Sequence, residues 1–294
     1  MNQLFKIFIT CIALYICIKQ INIHELPYKI NQISIQYVIP IFISIFFHLY
    51  FLSKRWFNLN TLIKVTQKKS QIFKATFYGY ALNQVLPTSI GGDGYRFFVI
   101  KKLKNSINKS IHSVFLDRVF GLYFLMVLVL LSSIFLIKLN PIFFIITFTI
   151  FFILFGSFFI SKYRVIKKIK WLSFFDQINF DLNQVIFSKS SKIVIPYSLI
   201  SKFFNILIFL FVLLLLNITI SWQIIMMVPC ILLFGYLPLS FAGWGLREGV
   251  TVLLFSYLSI DFTTSFLISF IFGFLQLIFG VSIFIFYLLN DFKK

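Results

Sequence analysis

Long apolar runs with almost no charge constrain this chain more than any other feature. Five are clear and a sixth, shorter run lies near the N-terminus: 33–52, 115–137, 142–160, 193–216, 264–289 and 4–23. As helices, runs of this length cross a hydrocarbon layer about 30 Å thick. Only 12% of the 294 residues are charged, about half the charged fraction of an average soluble domain. The sequence therefore predicts an all-α polytopic membrane protein, and it excludes a disordered chain, a collagen and a disulfide scaffold.

Positive charge is concentrated in three connections between these runs, and the formal net charge is +19. Lysine and arginine beside membrane helices favour the cytoplasmic side, where they meet anionic lipid head groups. We therefore expect all three connections to be cytoplasmic, and we expect no nucleic-acid partner. The basic residues are Lys54, Arg55, Lys64, Lys68, Lys69 and Lys74; then Lys101, Lys102, Lys104 and Lys109; then Lys162, Arg164, Lys167, Lys168, Lys170, Lys189 and Lys192.

The third connection, 161–192, also has an apolar face at helical spacing. The residues of this face are Trp171, Phe175, Ile178, Leu182 and Val185. Such a face beside a lysine cluster predicts an amphipathic helix that lies in the membrane surface. A short helix packed on the protein's own bundle explains the pattern equally well.

Two further apolar stretches, 72–100 and 224–260, are each interrupted near the middle by proline and glycine. If each crossed the membrane once, the second basic connection and the C-terminal Lys293 and Lys294 would lie opposite the other basic clusters. Two re-entrant elements keep every basic cluster and both termini cytoplasmic. We therefore predict a single transmembrane domain, 1–294, with about six full transmembrane helices plus two re-entrant broken-helix elements.

The centres of the two interrupted stretches share an eleven-residue pattern. LPTSIGGDGYR at 86–96 aligns without gaps with LPLSFAGWGLR at 237–247. Three long runs separate the motifs, and an odd number of crossings predicts an inverted repeat, with halves at approximately 33–160 and 193–289. Paired segments interrupted by glycine and proline indicate a transporter whose site lies between the halves. Two unrelated helix breaks in a structural membrane protein are the alternative.

Each motif contains the components of an anion site. Proline ends the preceding helix, the glycines let the chain turn and expose backbone N–H groups, and arginine matches phosphate oxygens bidentately. A helix that begins just beyond the motif adds its positive end. The predicted substrate-binding residues are Asn83, Gly91, Gly92, Asp93, Arg96, Gly243, Gly245, Arg247 and Glu248, supported by Pro87, Asp117, Arg118 and Pro238.

Acidic residues near the arginines allow other roles. Asp93, Asp117 and Glu248 can pair with Arg96 and Arg247 and hold the bundle together, and Asp93 or Glu248 can instead carry a coupling proton. The sequence has no G-x-S-x-G, H-E-x-x-H or P-loop motif, and its cysteines and histidines lack metal-ligand spacing. We therefore expect no catalytic residue, no metal and no cofactor.

The motifs at 83–87 and 91–96, then 117–122, then 238–240 and 243–248 occur in an order that resembles one family. This is the lysylphosphatidylglycerol synthase transmembrane-region family, also called flippase-like membrane proteins, and the resemblance extends from about residue 33 to 289. In the two-part multiple peptide resistance proteins this region is credited with moving lysyl-phosphatidylglycerol between leaflets. A separate soluble domain makes that lipid there. This chain has no soluble stretch long enough for such a domain, so the resemblance does not imply synthase activity.

The resemblance implies an integral protein of a bacterial-type plasma (inner) membrane that acts on a lipid with an anionic or zwitterionic head group. The leading hypothesis is a flippase-like transporter for a phospholipid or a polyprenyl-phosphate lipid. The first alternative is a membrane-embedded transferase for a lipid-linked substrate, with Asp93 or Asp117 as base or metal ligand. The second is a non-transporting partner of a separate lipid-synthesis enzyme.

Overall fold

The computed structural model describes residues 10–12, 15, 17, 19–85, 91–136, 141, 145, 148–149, 152, 181, 185, 191–236 and 243–291. Over this part of the chain the regular elements are all helical. The α-helices are α1 (Leu26–Asn31), α2 (Val38–Leu62), α3 (Lys69–Val85), α4 (Gly91–Lys102), α5 (Ile107–Leu136), α6 (Ser191–Leu215), α7 (Trp222–Tyr236), α8 (Leu246–Ser256) and α9 (Phe262–Asp291). One-turn 3-10 helices, Ile23–Glu25 and Ile35–Tyr37, precede α1 and α2.

Four helical segments are long and apolar enough to cross a membrane. They are Ile35–Leu62, Ile107–Leu136, Ser191–Leu215 and Phe262–Leu289, and α7 is a shorter apolar helix. They coincide with four of the predicted runs, so the prediction of a polytopic, all-α integral membrane protein is confirmed. Half of the predicted run 4–23, and most of the run 142–160 and of the predicted helix within 161–192, lie outside the described residues.

Each interrupted stretch consists of two helices with a break between them. The first stretch contains α3 and α4, and the second contains α7 and α8. The breaks themselves, 86–90 and 237–242, lie outside the described residues, and so do Pro87 and Pro238. Two predictions are not tested by the structure: that each element leaves the membrane on the side from which it entered, and that the two halves form an inverted repeat.

Two helices are longer than the apolar runs that predicted them. α2 continues to Leu62, ten residues past the end of the run at 52, and α5 begins at Ile107 rather than at 115. Lys54 and Arg55 therefore lie within α2 and not in a connection between helices, whereas the side of the membrane on which they lie stays a prediction. Arg55 is fully buried, because a carboxylate from α5 reaches it, as described below.

The chain divides into two compact units. Unit 1 comprises 1–49, 77–94 and 202–294, and unit 2 comprises 50–76 and 95–201. In unit 1, Phe209 of α6 packs against Phe255 of α8 and Phe272 of α9, with ring centroids 6.3 and 5.3 Å away. These aromatic contacts join three helices around the second interrupted element.

Unit 2 has a core built from α2, α5 and the start of α6. Leu59, Leu116, Phe120 and Val194 are fully buried there, and Val185 packs against the same cluster. Val185 belongs to the connection 161–192, and another of its residues, Asp181, is buried and contacts His112 of α5. At these two positions the connection packs on the protein itself.

A polar clasp outside the membrane spans joins α1 to the start of α9 in unit 1. The Lys29 ammonium lies 2.6 Å from Asp261 and 2.9 Å from Glu25, and it donates to the Thr264 hydroxyl. Burial opposes the charge of both Lys29 and Asp261, but their mutual hydrogen bond outweighs it together with the contacts that Glu25 makes with Lys29 and Thr264 makes with Asp261. The pKa of Asp261 is therefore lowered, and the pKa of Lys29 is raised.

The clasp predicts a small, pH-dependent loss of stability for Lys29→Met. The lowered pKa of Asp261 means that the pair stabilises the fold above the ordinary carboxyl pKa of about 3.9 and loses this effect as pH falls further. Because the side chains are partly exposed, we expect about 0.2–1 kcal/mol at neutral pH. Thermal melting in detergent should show a lower Tm for the variant at pH 7 and a much smaller difference at pH 3. Lys101→Met, at an exposed position, is the control, and an equal loss at both pH values would contradict the clasp.

Candidate functional site

The second interrupted element contains a buried ion pair at the start of α8. Arg247 and Glu248 are 5% and 0% exposed, and Nη2 of Arg247 donates to Oε1 of Glu248 over 2.7 Å. The Gly245 N–H donates to Oε2 of Glu248 over 2.5 Å. Ser269 of α9 accepts from Nε of Arg247 at 3.0 Å and donates to Oε1 of Glu248 at 3.1 Å. Both carboxylate oxygens of Glu248 are thus occupied, and the two charges neutralise each other.

Aromatic rings surround the Arg247 guanidinium on two sides. Its central carbon lies 5.3 Å from the ring centroid of Trp244 and 5.2 Å from that of Phe272. Gly273 of α9 leaves room for the same group, because a Cβ there would overlap Nη2 of Arg247 and lie 3.1 Å from Trp244. The guanidinium is therefore held in one orientation by hydrogen bonds, rings and a glycine.

Backbone geometry explains the glycines of the second motif. Gly243 and Gly245 have φ values of +83° and +84°, in the region that side chains other than glycine rarely adopt. A Cβ at Gly243 would also lie 2.9 Å from the backbone of Gly235. The chain therefore folds back on the end of α7 before α8 begins, as the sequence predicted for this motif.

The glycines of the first motif have a different role. Gly91, Gly92 and Gly94 lie within α4, so the prediction that they form a turn was wrong at these positions. A Cβ at Gly92 would overlap the carbonyl oxygen of Gly79 and lie 2.7 Å from the Asn83 side chain. Gly92 is required because α3 and α4 approach each other closely there.

Asn83 supplies an oxygen to the start of α4. The Gly92 N–H donates to Oδ1 of Asn83 over 2.9 Å, as the Gly245 N–H donates to Glu248 in the other element. Asp93 follows in the first turn of α4, where negative charge is favourable. In each element a protein side chain therefore binds a backbone N–H group near the start of the second helix.

One face of α9 contacts both interrupted elements within unit 1. Arg247 of the second element meets Ser269 and Gly273. The residues of the first element that meet α9 lie at the end of α3. Ser269, Gly273, Gln276 and Gly280 are spaced by four, three and four residues, so they share one face over roughly 16 Å of helix.

The contacts of the first element with α9 are made by Tyr80 and Gln84. The Tyr80 hydroxyl lies 3.4 Å from both Gln276 oxygens. A Cβ at Gly280 would lie 3.0 Å from the Gln84 side chain, so α3 and α9 approach closely. The end of α3 and the start of α8 thus contact neighbouring turns of the same helix, α9.

Unit 2 contains a second buried ionic cluster, centred on Asp117 of α5. Nε of Arg55 donates to Oδ1 of Asp117 over 2.9 Å, and its Nη2 donates to the Asp117 carbonyl. Nη2 of Arg96 donates to Oδ2 over 2.7 Å. All three residues are buried. Asp117 therefore joins α2, α4 and α5, which is the pairing role that the sequence offered as an alternative for Arg96.

Trp56 extends this cluster. The Arg96 guanidinium lies 3.9 Å from the Trp56 ring centroid, and the indole N–H donates to Ser113, which donates to Asn60. Arg118, next to Asp117 on α5, is half-buried. Arg55, Trp56 and Asn60 belong to α2 beyond the predicted run, so sequence reasoning missed them.

Ser269 and Gly273 were also missed, although a signal existed. Ser265, Ser269 and Gly273 follow one another at intervals of four, a spacing of small residues that permits close helix contacts in membranes. Ser265 and Ser269 are both fully buried. Read together with the arginines of the two motifs, this spacing would have indicated the face of α9 that meets Arg247.

Comparison with known proteins gives one match. The family model described as "Lysylphosphatidylglycerol synthase TM region" matches residues 3–283, which includes every helix up to most of α9. No curated protein and no solved structure matches the chain.

The close approach at Gly92 predicts that alanine substitutions at two neighbouring glycines differ in their effect on stability. Gly92→Ala places a methyl group against the Gly79 backbone, and overpacking of this kind costs about 1–3 kcal/mol. Gly94→Ala meets no atom within 4 Å and should be neutral, or stabilising by about 0.5–1 kcal/mol, because alanine favours a helix. Thermal melting of both purified variants tests this, and equal Tm values would contradict the close contact.

The Asp117 cluster predicts a large loss of stability for Asp117→Asn. The change removes a buried counter-charge from Arg55 and Arg96, and breaking a buried pair costs about 3–5 kcal/mol. The Tm in detergent and the yield of monodisperse protein should both fall sharply. Asn108→Ala, at an exposed position of the same helix, should leave both unchanged, and a wild-type Tm for Asp117→Asn would contradict the proposed link.

Proposed function

This chain belongs to the lysylphosphatidylglycerol synthase TM-region family, and we propose from this premise that it moves a lipid between the two leaflets of its membrane. The family associates the protein with lipid modification or flipping. The proposed substrates are phospholipids and polyprenyl-phosphate lipids, which share a phosphate beneath the polar head. Two oxygens of a phosphate match the planar fork of an arginine side chain.

The convergence of both interrupted elements on one face of α9 carries this proposal. It brings the Arg247–Glu248 pair, the polar Asn83 and Gln84 region and two helix starts into the same unit. Irregular backbone at membrane depth is tolerated where it lines a polar cavity or lies within protein. Paired broken helices of this kind are where transporters hold their substrates.

The Arg247–Glu248 pair suits a site that must bind and then release a phosphate. A lone arginine at mid-bilayer costs about 2.5–3.5 kcal/mol on insertion scales, and Glu248 offsets this cost while the site is empty. In our proposal the lipid phosphate takes the place of Glu248 on the guanidinium. Glu248 then keeps its contacts with the Gly245 N–H and Ser269. The arginine thus exchanges one anionic partner for another and is never left bare.

Arg96, Glu248 and Asn83 receive separate proposals, and substrate binding by Asp93 stays a prediction. The contacts of Arg96 with Asp117 and Trp56 favour the pairing role, and direct substrate binding by Arg96 stays a prediction. Glu248 has both oxygens bound by the protein, which favours ion pairing over the carriage of a coupling proton. Asn83 and Gly92 are proposed to shape the head-group site through their mutual hydrogen bond.

The double substitution Arg247→Gln/Glu248→Gln tests the proposal without leaving an unpaired buried charge. We expect the variant to fold and to lose transbilayer movement of fluorescent phospholipid in proteoliposomes, because no cation remains for the phosphate. Dithionite quenching of outer-leaflet probe measures the movement. Unchanged movement at equal folded protein would remove Arg247 from the proposed site.

A matched glycine pair provides the control. Gly273→Ala presses on the Arg247 guanidinium, whereas a Cβ at Gly249 meets no atom within 4 Å. We expect Gly273→Ala to slow lipid movement and Gly249→Ala to leave it unchanged. Mass spectrometry of lipids before and after incubation addresses the transferase alternative, since a new lipid species would support an enzyme instead.

A further inference from the structure

Lys202 is a buried cation within a membrane span. It lies in α6 and is 3% exposed, although its helix is apolar enough to cross the membrane. Ionisable residues inside spans are costly and mark functional sites by default. The sequence placed Lys202 within an apolar run and outside all three basic connections, so its position demands a separate explanation.

The Lys202 ammonium lies at the end of the second interrupted element. It is 4.4 Å from the ring centroid of Tyr236, and Tyr236 is the last residue of α7. The C-terminal end of a helix attracts cations, and an aromatic ring orients an ammonium above its face. The Lys202 ammonium therefore lies at the C-terminal end of α7, next to the break.

Gly235 connects this position with Arg247. A Cβ at Gly235 would lie 3.6 Å from Cδ of Arg247, and the Gly243 backbone packs against Gly235 from the far side of the break. The residue next to Gly235 is Tyr236, which contacts Lys202. Two buried cationic side chains from α6 and α8 therefore flank the same end of α7 within unit 1.

We infer that Lys202 is a further head-group-binding residue and makes the site prefer phospholipids with net negative charge. This inference rests on the proposed function. Arginine contributes a planar fork that two phosphate oxygens can share, and lysine contributes a compact point charge. A second cation stabilises a bound anionic head group more than a zwitterionic one, because the positively charged ammonium group of a zwitterionic head is repelled by it. Lys202 and Arg247 thus have different tasks: Arg247 binds the phosphate, and Lys202 distinguishes the net charge.

The test compares phosphatidylglycerol, which is anionic, with phosphatidylcholine, which is zwitterionic, both as fluorescent lipids in proteoliposomes. Wild-type protein should move phosphatidylglycerol faster. Lys202→Gln should reduce this preference by about tenfold, since a hydrogen bond to a charged group is lost, while movement of phosphatidylcholine changes little. Lys202→Arg keeps the charge and should keep the preference. Lys192→Gln, at an exposed lysine of the same helix, should behave as the wild type.

Further measurements separate the two proposals. If wild-type protein moves both lipids but Lys202→Gln retains the full preference, Lys202 does not select the substrate and the transport function stands. If wild-type protein moves neither lipid, the proposed function fails for phospholipids and the inference fails with it. Should Lys202→Gln not fold, Tyr236→Leu removes the ring and keeps the charge. A reduced preference in that variant supports the inference, and an unchanged preference overturns it.

Discussion

The buried arginines and carboxylates of the two ionic clusters are stable because each has a counter-charge from the protein itself. Asp117 lies between Arg55 and Arg96, and Arg247 lies against Glu248. An isolated ion at membrane depth costs several kcal/mol, so helices that supply these partners must pack in a fixed register. The extension of α2 beyond its apolar run, the position of α4 and the fold of α8 all follow from this requirement.

The sequence predicted the parts of the fold that depend on local pattern. Apolar runs identified the four described spans, and proline with glycine identified both interruptions, because these signals lie within a few neighbouring residues. Arg55 shows why the rest escaped prediction. Its counter-charge is 62 residues away, and a basic residue after an apolar run normally marks the membrane surface. Only the tertiary contact distinguishes a buried arginine from a solvated one.

The glycines of the two motifs also show what the sequence alone does not predict. The two motifs align without gaps, yet Gly243 and Gly245 serve backbone conformations with positive φ, whereas Gly92 serves a close helix contact. Because it has no side chain, glycine suits both a positive φ and a close helix contact. The aligned glycines therefore predict that a side chain is not tolerated there, but not which of the two causes applies. The interaction of both elements with α9 was likewise not predicted, because the spacing of Ser265, Ser269 and Gly273 marks a face of α9 but not the helices that pack against it.

The two aligned arginines illustrate how similar motifs acquire different tasks. Arg96 binds a carboxylate from another helix and stacks on Trp56, and this arrangement ties three helices of unit 2 together. Arg247 binds the carboxylate of the very next residue, so both members of this ion pair lie on α8 and opening the pair does not separate two helices. An arginine whose counter-ion is local can exchange it for a phosphate at low structural cost, whereas an arginine that joins helices cannot. The position of the counter-ion therefore makes Arg247 the better candidate for a transient lipid contact, and it makes Arg96 the better candidate for a permanent link.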